Sequence, residues 1–188
     1  MLDLTGKIAL VCGAGAVGAG YGNGKATAVL LARQGAKVFG TDINPAAIED
    51  TRAIVEKEGG TLVAHVCNMT VAAEVKAMVE ACVKQFGRID ILVNNCGGSA
   101  PGDPVAMSEE VWDTQLDLNL KTAFLGCKYV LPVMEQQGSG AIVNVSSVAG
   151  FAHRIGSRID VAYSTSKSGL VGFTQSSTAA YPSSVAWL

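Results

Sequence analysis

Charge is scarce in this sequence: 16% of its 188 residues are Asp, Glu, Lys or Arg, against 49% hydrophobic, and mean hydropathy is slightly positive. Its few lysines and arginines are scattered and the formal net charge is −2, which excludes a nucleic-acid-binding face. The two histidines are His65 and His153, and the five cysteines (Cys12, Cys67, Cys82, Cys96, Cys127) form no C-x-x-C pair. Neither a disulfide framework nor a structural metal site is therefore expected; buried, reduced thiols in a cytoplasmic protein are. No apolar run approaches the roughly 20 residues of a membrane span, and residues 1–7, with Asp3 among them, do not read as a secretory leader. No repeat or linker divides the chain, so a single domain over 1–188 is expected.

What is present has the order of an α/β domain. Residues 7–12, 37–41, 61–66, 89–94 and 141–146 are short, β-branched-rich runs. Most are continuously apolar rather than alternating, as strands buried on both faces are. Helix signals stand between them. Asn44-Pro45 offers an N-cap with proline at the first helical position, and Gly59-Gly60 ends that helix. Val71, Val75, Met78, Val79, Cys82 and Phe86 follow at steps of 4, 3, 1, 3 and 4, one face of a helix that Gly87 closes. Ser108 with Glu109 and Glu110 starts another, acid at its positive end. It is expected to run through Asn119 and Tyr129 and to be disturbed near Pro132. Strand–helix–strand repetition of this kind gives right-handed crossovers and a doubly wound parallel sheet.

Directly after the first strand, residues 13–24 are glycine-rich. Glycine is needed where backbone approaches a pyrophosphate held at a helix N-terminus. Two registers compete. Gly13, Gly15 and Gly18 spell G-x-G-x-x-G, but a helix starting there carries Gly18, Gly20, Gly22 and Gly24 in its first turns, at about 1 kcal/mol each. The preferred register starts the helix near Gly24 and ends it at Gly35. It leaves Gly13, Gly22 and Gly24, with Asn23 between the last two, at the phosphates. Asp42 lies 18 residues after Gly24, where an acid suits an adenosine ribose and repels a 2′-phosphate. With Ile43 beside it and no arginine in the loop, NAD is favoured over NADP.

Tyr163 and Lys167 form a Y-x-x-x-K pair, which on a helix shares one face. A free tyrosine, with a pKa near 10, is a poor base at neutral pH. A fixed cation and a positive nicotinamide favour the phenolate, so such a phenol can exchange a proton with an alcohol or carbonyl. Upstream, Ser146 and Ser147 end a predicted strand, where open α/β sheets place ligands. By position alone either hydroxyl can hydrogen-bond the reacting oxygen.

Together the glycine loop, the acid after the second strand, Asn94-Asn95-Cys96-Gly97, a mid-helix Asn119, strand-end serines and Tyr163/Lys167 make the chain resemble the short-chain dehydrogenase/reductase family. The resemblance runs over residues 4–174. It implies a Rossmann-like three-layer sandwich and an oxidoreductase moving hydride between NAD(H) and a secondary alcohol or ketone. It further implies Ser147 as substrate-oxygen donor, Tyr163 as acid/base, Lys167 on the nicotinamide ribose, and Asn119 holding a water that links Lys167 to solvent. Asn95, Cys96 and Gly97 would lie along the cofactor, with Asn68 and Met69 near the adenine. A small-molecule substrate and a homo-oligomer, with no nucleic-acid or membrane partner, complete the expectation.

Cys12, Cys96 and Asn68 stand where the family usually has threonine, alanine and aspartate, and the glycine loop is long. The larger departure is the Ser/Ala-rich tail, residues 175–188, which does not resemble the family. A truncated or frame-shifted coding region is the expected cause. The fold should then lack the family's last strands and expose the fifth strand as an apolar edge. Helix faces near Tyr163 and Leu170, which family members use in dimer contacts, would be incompletely supported, and low solubility or obligate association is expected. A non-catalytic remnant that keeps only the dinucleotide-binding fold is the rival reading.

Overall fold

The computed structural model describes residues 3–152, 159–181 and 184–188; His153 lies outside them. Alternating elements follow in chain order: β1 (Ile8–Cys12), α1 (Asn23–Arg33), β2 (Lys37–Asp42), α2 (Pro45–Lys57), β3 (Thr61–Val66), α3 (Ala72–Phe86) and β4 (Ile91–Asn94). Next come α4 (Glu109–Leu116), a π-helical turn (Asp117–Lys121), α5 (Thr122–Gln137), β5 (Ala141–Asn144), a 3-10 turn (Val148–Gly150), α6 (Val161–Ala180) and β6 (Ala186–Trp187). The strands form one parallel sheet in the order β3-β2-β1-β4-β5-β6.

β1 is buried at every residue because helices cover both faces of the sheet. Ile8, Leu10 and Cys12 pack with residues of α3 and α5, such as Val75, Met78, Leu125 and Val130. Val11 faces the other way, onto Ala28 and Val29 of α1 and Ile48 and Val55 of α2. Strand order reverses between β1 and β4, and it is at the carboxyl ends of such a pair that open α/β sheets form a crevice.

Helix ends follow the sequence signals closely. Asn44 caps α2, its side chain accepting from the backbone N–H of Ala46 and Ala47. Gly87 closes α3 in the left-handed region, and the Ser108 hydroxyl accepts from Val111 N at 3.3 Å. The expected disturbance of the long helix is displaced. α5 continues through Pro132, whose exposed position lets water serve the carbonyl that the missing N–H leaves free. The irregularity falls instead at the π turn, where the Thr122 N–H reaches back to Asp117 O.

The tail also departs from expectation. α6 runs on to Ala180, and β6 pairs in parallel with Ala141 and Ile142 of β5, so β5 is not left as a bare edge. Val185 joins the core, with Tyr181 and Trp187 packed against it. Leu170, expected on an unsupported face, is 1% exposed.

Candidate active site

The elements that end in the crevice supply the site. The stretch after β1 is pinned from three sides. Gly13 N and Ala14 N both donate to Thr41 O at 2.8 Å, the Thr51 hydroxyl of α2 donates to Ala14 O at 2.9 Å, and Asn95 Nδ2 donates to Gly13 O at 2.9 Å. Gly13 has φ +76°. A Cβ on Gly24 would stand 1.7 Å from Gly13 O, so only glycine lets the first turn of α1 approach the loop this closely. α1 begins at Asn23 with Gly22 as N-cap, no side-chain cap and no acid in its first turn. Its leading N–H groups therefore meet the crevice unopposed by a carboxylate of their own helix. The later glycine register describes the helix start. Residues 17–21 form an exposed excursion before it.

Asp42 closes one end. Its carboxylate accepts from Gly15 N and from Asn44 N, each at 3.0 Å. Gly15 is thus a functional position that choosing the later register passes over, although the literal G-x-G contains it. Lys25, the one basic residue beside the loop, turns away and pairs with Asp50 of α2. Asn68 folds its oxygen onto Thr70, accepting from the backbone N–H at 3.0 Å and the hydroxyl at 2.8 Å.

At the other end, Lys167 is 3% exposed. Its ammonium donates to Val145 O at 2.7 Å and lies 5.9 Å from the Tyr163 ring centroid. Burial pushes the Lys167 pKa down. The Cys96 thiol beside it is pushed up to about 12, mainly by burial and then by the Asp42 charge, and so stays protonated. A Cβ on Gly97 would stand 2.8 Å from Asn119 Oδ1 and 3.2 Å from Lys167 Nζ, so both side chains converge on this glycine.

The π turn sets Asn119. Its Nδ2 donates to Gln115 O at 2.9 Å, and the Thr122 hydroxyl donates to Leu118 O at 2.8 Å. Asn119 also exchanges two hydrogen bonds with the Gly98 backbone, at 3.0 and 2.9 Å. Such π turns recur at functional sites.

One cavity of about 520 Å3 joins the two ends. It is lined by every residue predicted to touch cofactor: Gly13, Gly22, Asn23, Gly24, Asp42, Ile43, Asn68, Met69, Asn95, Cys96, Gly97, Tyr163 and Lys167. Asn44, Thr122, Val145 and Ser146 also line it without having been singled out as cofactor contacts. Asn119 stands behind the Gly97–Gly98 wall. Ser147 follows the lining Ser146, its hydroxyl accepting from Ala149 N at 3.2 Å. Lys167 is the one cation and Asp42 the one acid among the lining residues described.

A family model described as short chain dehydrogenase matches residues 7–185, reaching well into the tail. The 3-oxoacyl-(acyl-carrier-protein) reductase of Thermotoga maritima is 38% identical over 174 residues, covering 93% of this chain and 68% of its own. A Burkholderia xenovorans structure of the short-chain dehydrogenase/reductase kind superposes with a TM-score of 0.93 at 44% identity, over 98% of this chain and 75% of its own. A 7α-hydroxysteroid dehydrogenase solved with NADH and 7-oxo glycochenodeoxycholic acid gives 0.90 at 30% identity, over 99% and 70%. The chain thus spans about two thirds to three quarters of the length of these relatives.

Proposed function

The chain belongs to the short-chain dehydrogenase family, and on that premise we propose that it reduces a small or medium ketone, or oxidises the matching secondary alcohol, with NAD(H). The observation that carries this reading is the single cavity with the glycine loop and Asp42 at one end and Tyr163 and Lys167 at the other. Its volume suits an extended small molecule, and the glycine cradle fits a pyrophosphate at an uncapped helix start. Asp42, with no lining arginine to offset it, favours a free 2′-hydroxyl over a 2′-phosphate. Asn68 and Met69 flank the adenine end, and Asn95, Cys96 and Gly97 the middle.

NAD(H), when bound, supplies or accepts the hydride. Tyr163 gives its phenolic proton to the carbonyl oxygen as negative charge develops there, and takes it back in the oxidation direction. Ser147 donates a hydrogen bond to the same oxygen. Lys167 holds the nicotinamide ribose and keeps positive charge beside the phenol. Asn119, next to Lys167 across Gly97, positions a water on the route to solvent. Five unpaired cysteines accord with a reducing, cytoplasmic setting. Self-association through α5 and α6 belongs to the same reading, because Phe124 remains 45% exposed while meeting Phe173 edge-on at 6.4 Å.

A second reading, cofactor binding without turnover, draws on the substrate side, where Val148 and Phe151 are 80% and 73% exposed. NADH titration followed by fluorescence tests the binding half: saturable binding is expected, and none at millimolar NADH would remove both readings. Because a close relative is a 3-oxoacyl reductase, ethyl acetoacetate is the first ketone to try. Its NADH-dependent reduction separates the two.

A further inference from the structure

Besides the Lys167 ammonium, segment 144–150 is tied to α6 at three points. Asn144 Nδ2 donates to the Thr174 hydroxyl at 2.9 Å, the Ser146 hydroxyl donates to Lys167 O at 2.9 Å, and the Ser168 hydroxyl donates to Gly150 O at 2.6 Å. The middle tie is unlike an ordinary helix contact. Lys167 O lies within α6, where it already serves the helix ladder, so the Ser146 hydroxyl is a second donor on that carbonyl. Gly150 packs against the same peptide: a Cβ there would stand 2.8 Å from Lys167 C, 2.9 Å from its O and 3.0 Å from Ser168 N. The Lys167 peptide group is thus contacted by both Ser146 and Gly150, and the residues between those two include Ser147. The Lys167 side chain is held by the same segment, through Val145 O at 2.7 Å.

We propose that Ser146 and Gly150 form a clamp on the Lys167 backbone that sets the register of α6 against Ser147, making Ser146 a positioning residue for the reaction. This rests on the reading of Ser147, Tyr163 and Lys167 as the reacting group of side chains. Ser147 and Tyr163 come from different elements and must meet on one substrate oxygen, with no covalent link to fix their spacing. Displacements of about 1 Å in such a pair lower rates by up to a hundredfold. The Ser146 hydroxyl itself is directed onto a main-chain carbonyl.

Two measurements on the full chain test the clamp. In the first, lysines are labelled with trinitrobenzenesulfonate and read by mass spectrometry. Ser146→Ala should raise the labelling rate of Lys167 by about tenfold through local opening, while Lys25, 4% exposed in α1, keeps its rate. An unchanged Lys167 rate, or a parallel rise at both lysines, overturns the clamp. In the second, ethyl acetoacetate reduction by Ser146→Ala at saturating NADH should lose about tenfold or more in kcat, and Ser146→Thr should restore it. Equal kcat in Ser146→Ala and wild type also overturns the clamp. Absence of turnover in the wild type would count against the reductase reading alone, because the labelling result decides the clamp without it. Ser168→Ala, at an exposed position, gives a milder opening of the same kind, and its Lys167 labelling should also rise; no rise would contradict the clamp.

Discussion

The ammonium of Lys167 is held by a main-chain carbonyl, Val145 O at 2.7 Å, and by no acid among the described residues. It is a cation buried at the end of a strand, and burial pushes its pKa below the ordinary lysine value of 10.5. The unfolded chain therefore binds the proton more tightly than the fold does, so stability rises with pH between the folded value and 10.5. In Lys167→Met this slope should vanish. Urea unfolding of the cofactor-free proteins across the alkaline range should show the wild type gaining on the variant as pH rises. A wild type that loses ground over that range would contradict the assignment.

The two glycine registers separate by substitution. A methyl on Gly24 would meet Gly13 O at 1.7 Å, whereas a methyl on Gly18 meets nothing within 4 Å. Gly24→Ala should lose about 1–3 kcal/mol or more of stability through overpacking and with it NADH binding. Gly18→Ala should stay within about 0.5 kcal/mol of wild type. Thermal melts and fluorescence titrations check both; a tolerated Gly24→Ala would mean that α1 does not sit against the loop as described.

Asp42 should decide between the two nicotinamide cofactors. Its carboxylate already accepts from Gly15 and Asn44, and on the proposed reading a 2′-phosphate would have to fit beside it. Charge repulsion of about 1–4 kcal/mol at such range predicts NADH binding at least tenfold tighter than NADPH, with Asp42→Asn narrowing the ratio. Parallel titrations with the two cofactors measure it, and tighter binding of NADPH by the wild type would refute the assignment.

Much of this was legible in the residues because buried parallel strands and capped helices leave local signatures. The continuous apolar run at Ile8–Cys12, the Asn44-Pro45 cap and Gly87 each act within a few positions. The residues lining the cavity were legible because a doubly wound sheet brings its strand ends to one crevice, so Gly13, Asp42 and Asn95 meet there with Tyr163 of α6 without any local pattern joining them. The π turn was not legible. It shows in backbone bonding that reaches five residues back, from Thr122 N–H to Asp117 O, and no apolar period signals that. Pro132 misled because its cost depends on which way its helix faces, and it faces water. The tail misled for a similar reason. Alanine, serine and threonine suffice to extend α6 once Thr174 and Thr178 bond back to Leu170 O and Thr174 O, and the two residues of β6 are too few to show a period.

Ketone reduction by the wild type and by Tyr163→Phe, at saturating NADH, bears most directly on the proposed chemistry. Tyr163 lines the cavity beside Lys167, and removing its hydroxyl removes the proton donor while leaving the cofactor walls in place. Turnover of ethyl acetoacetate should fall by about a hundredfold or more with NADH affinity retained. Equal rates for the two proteins would show that the proton comes from elsewhere.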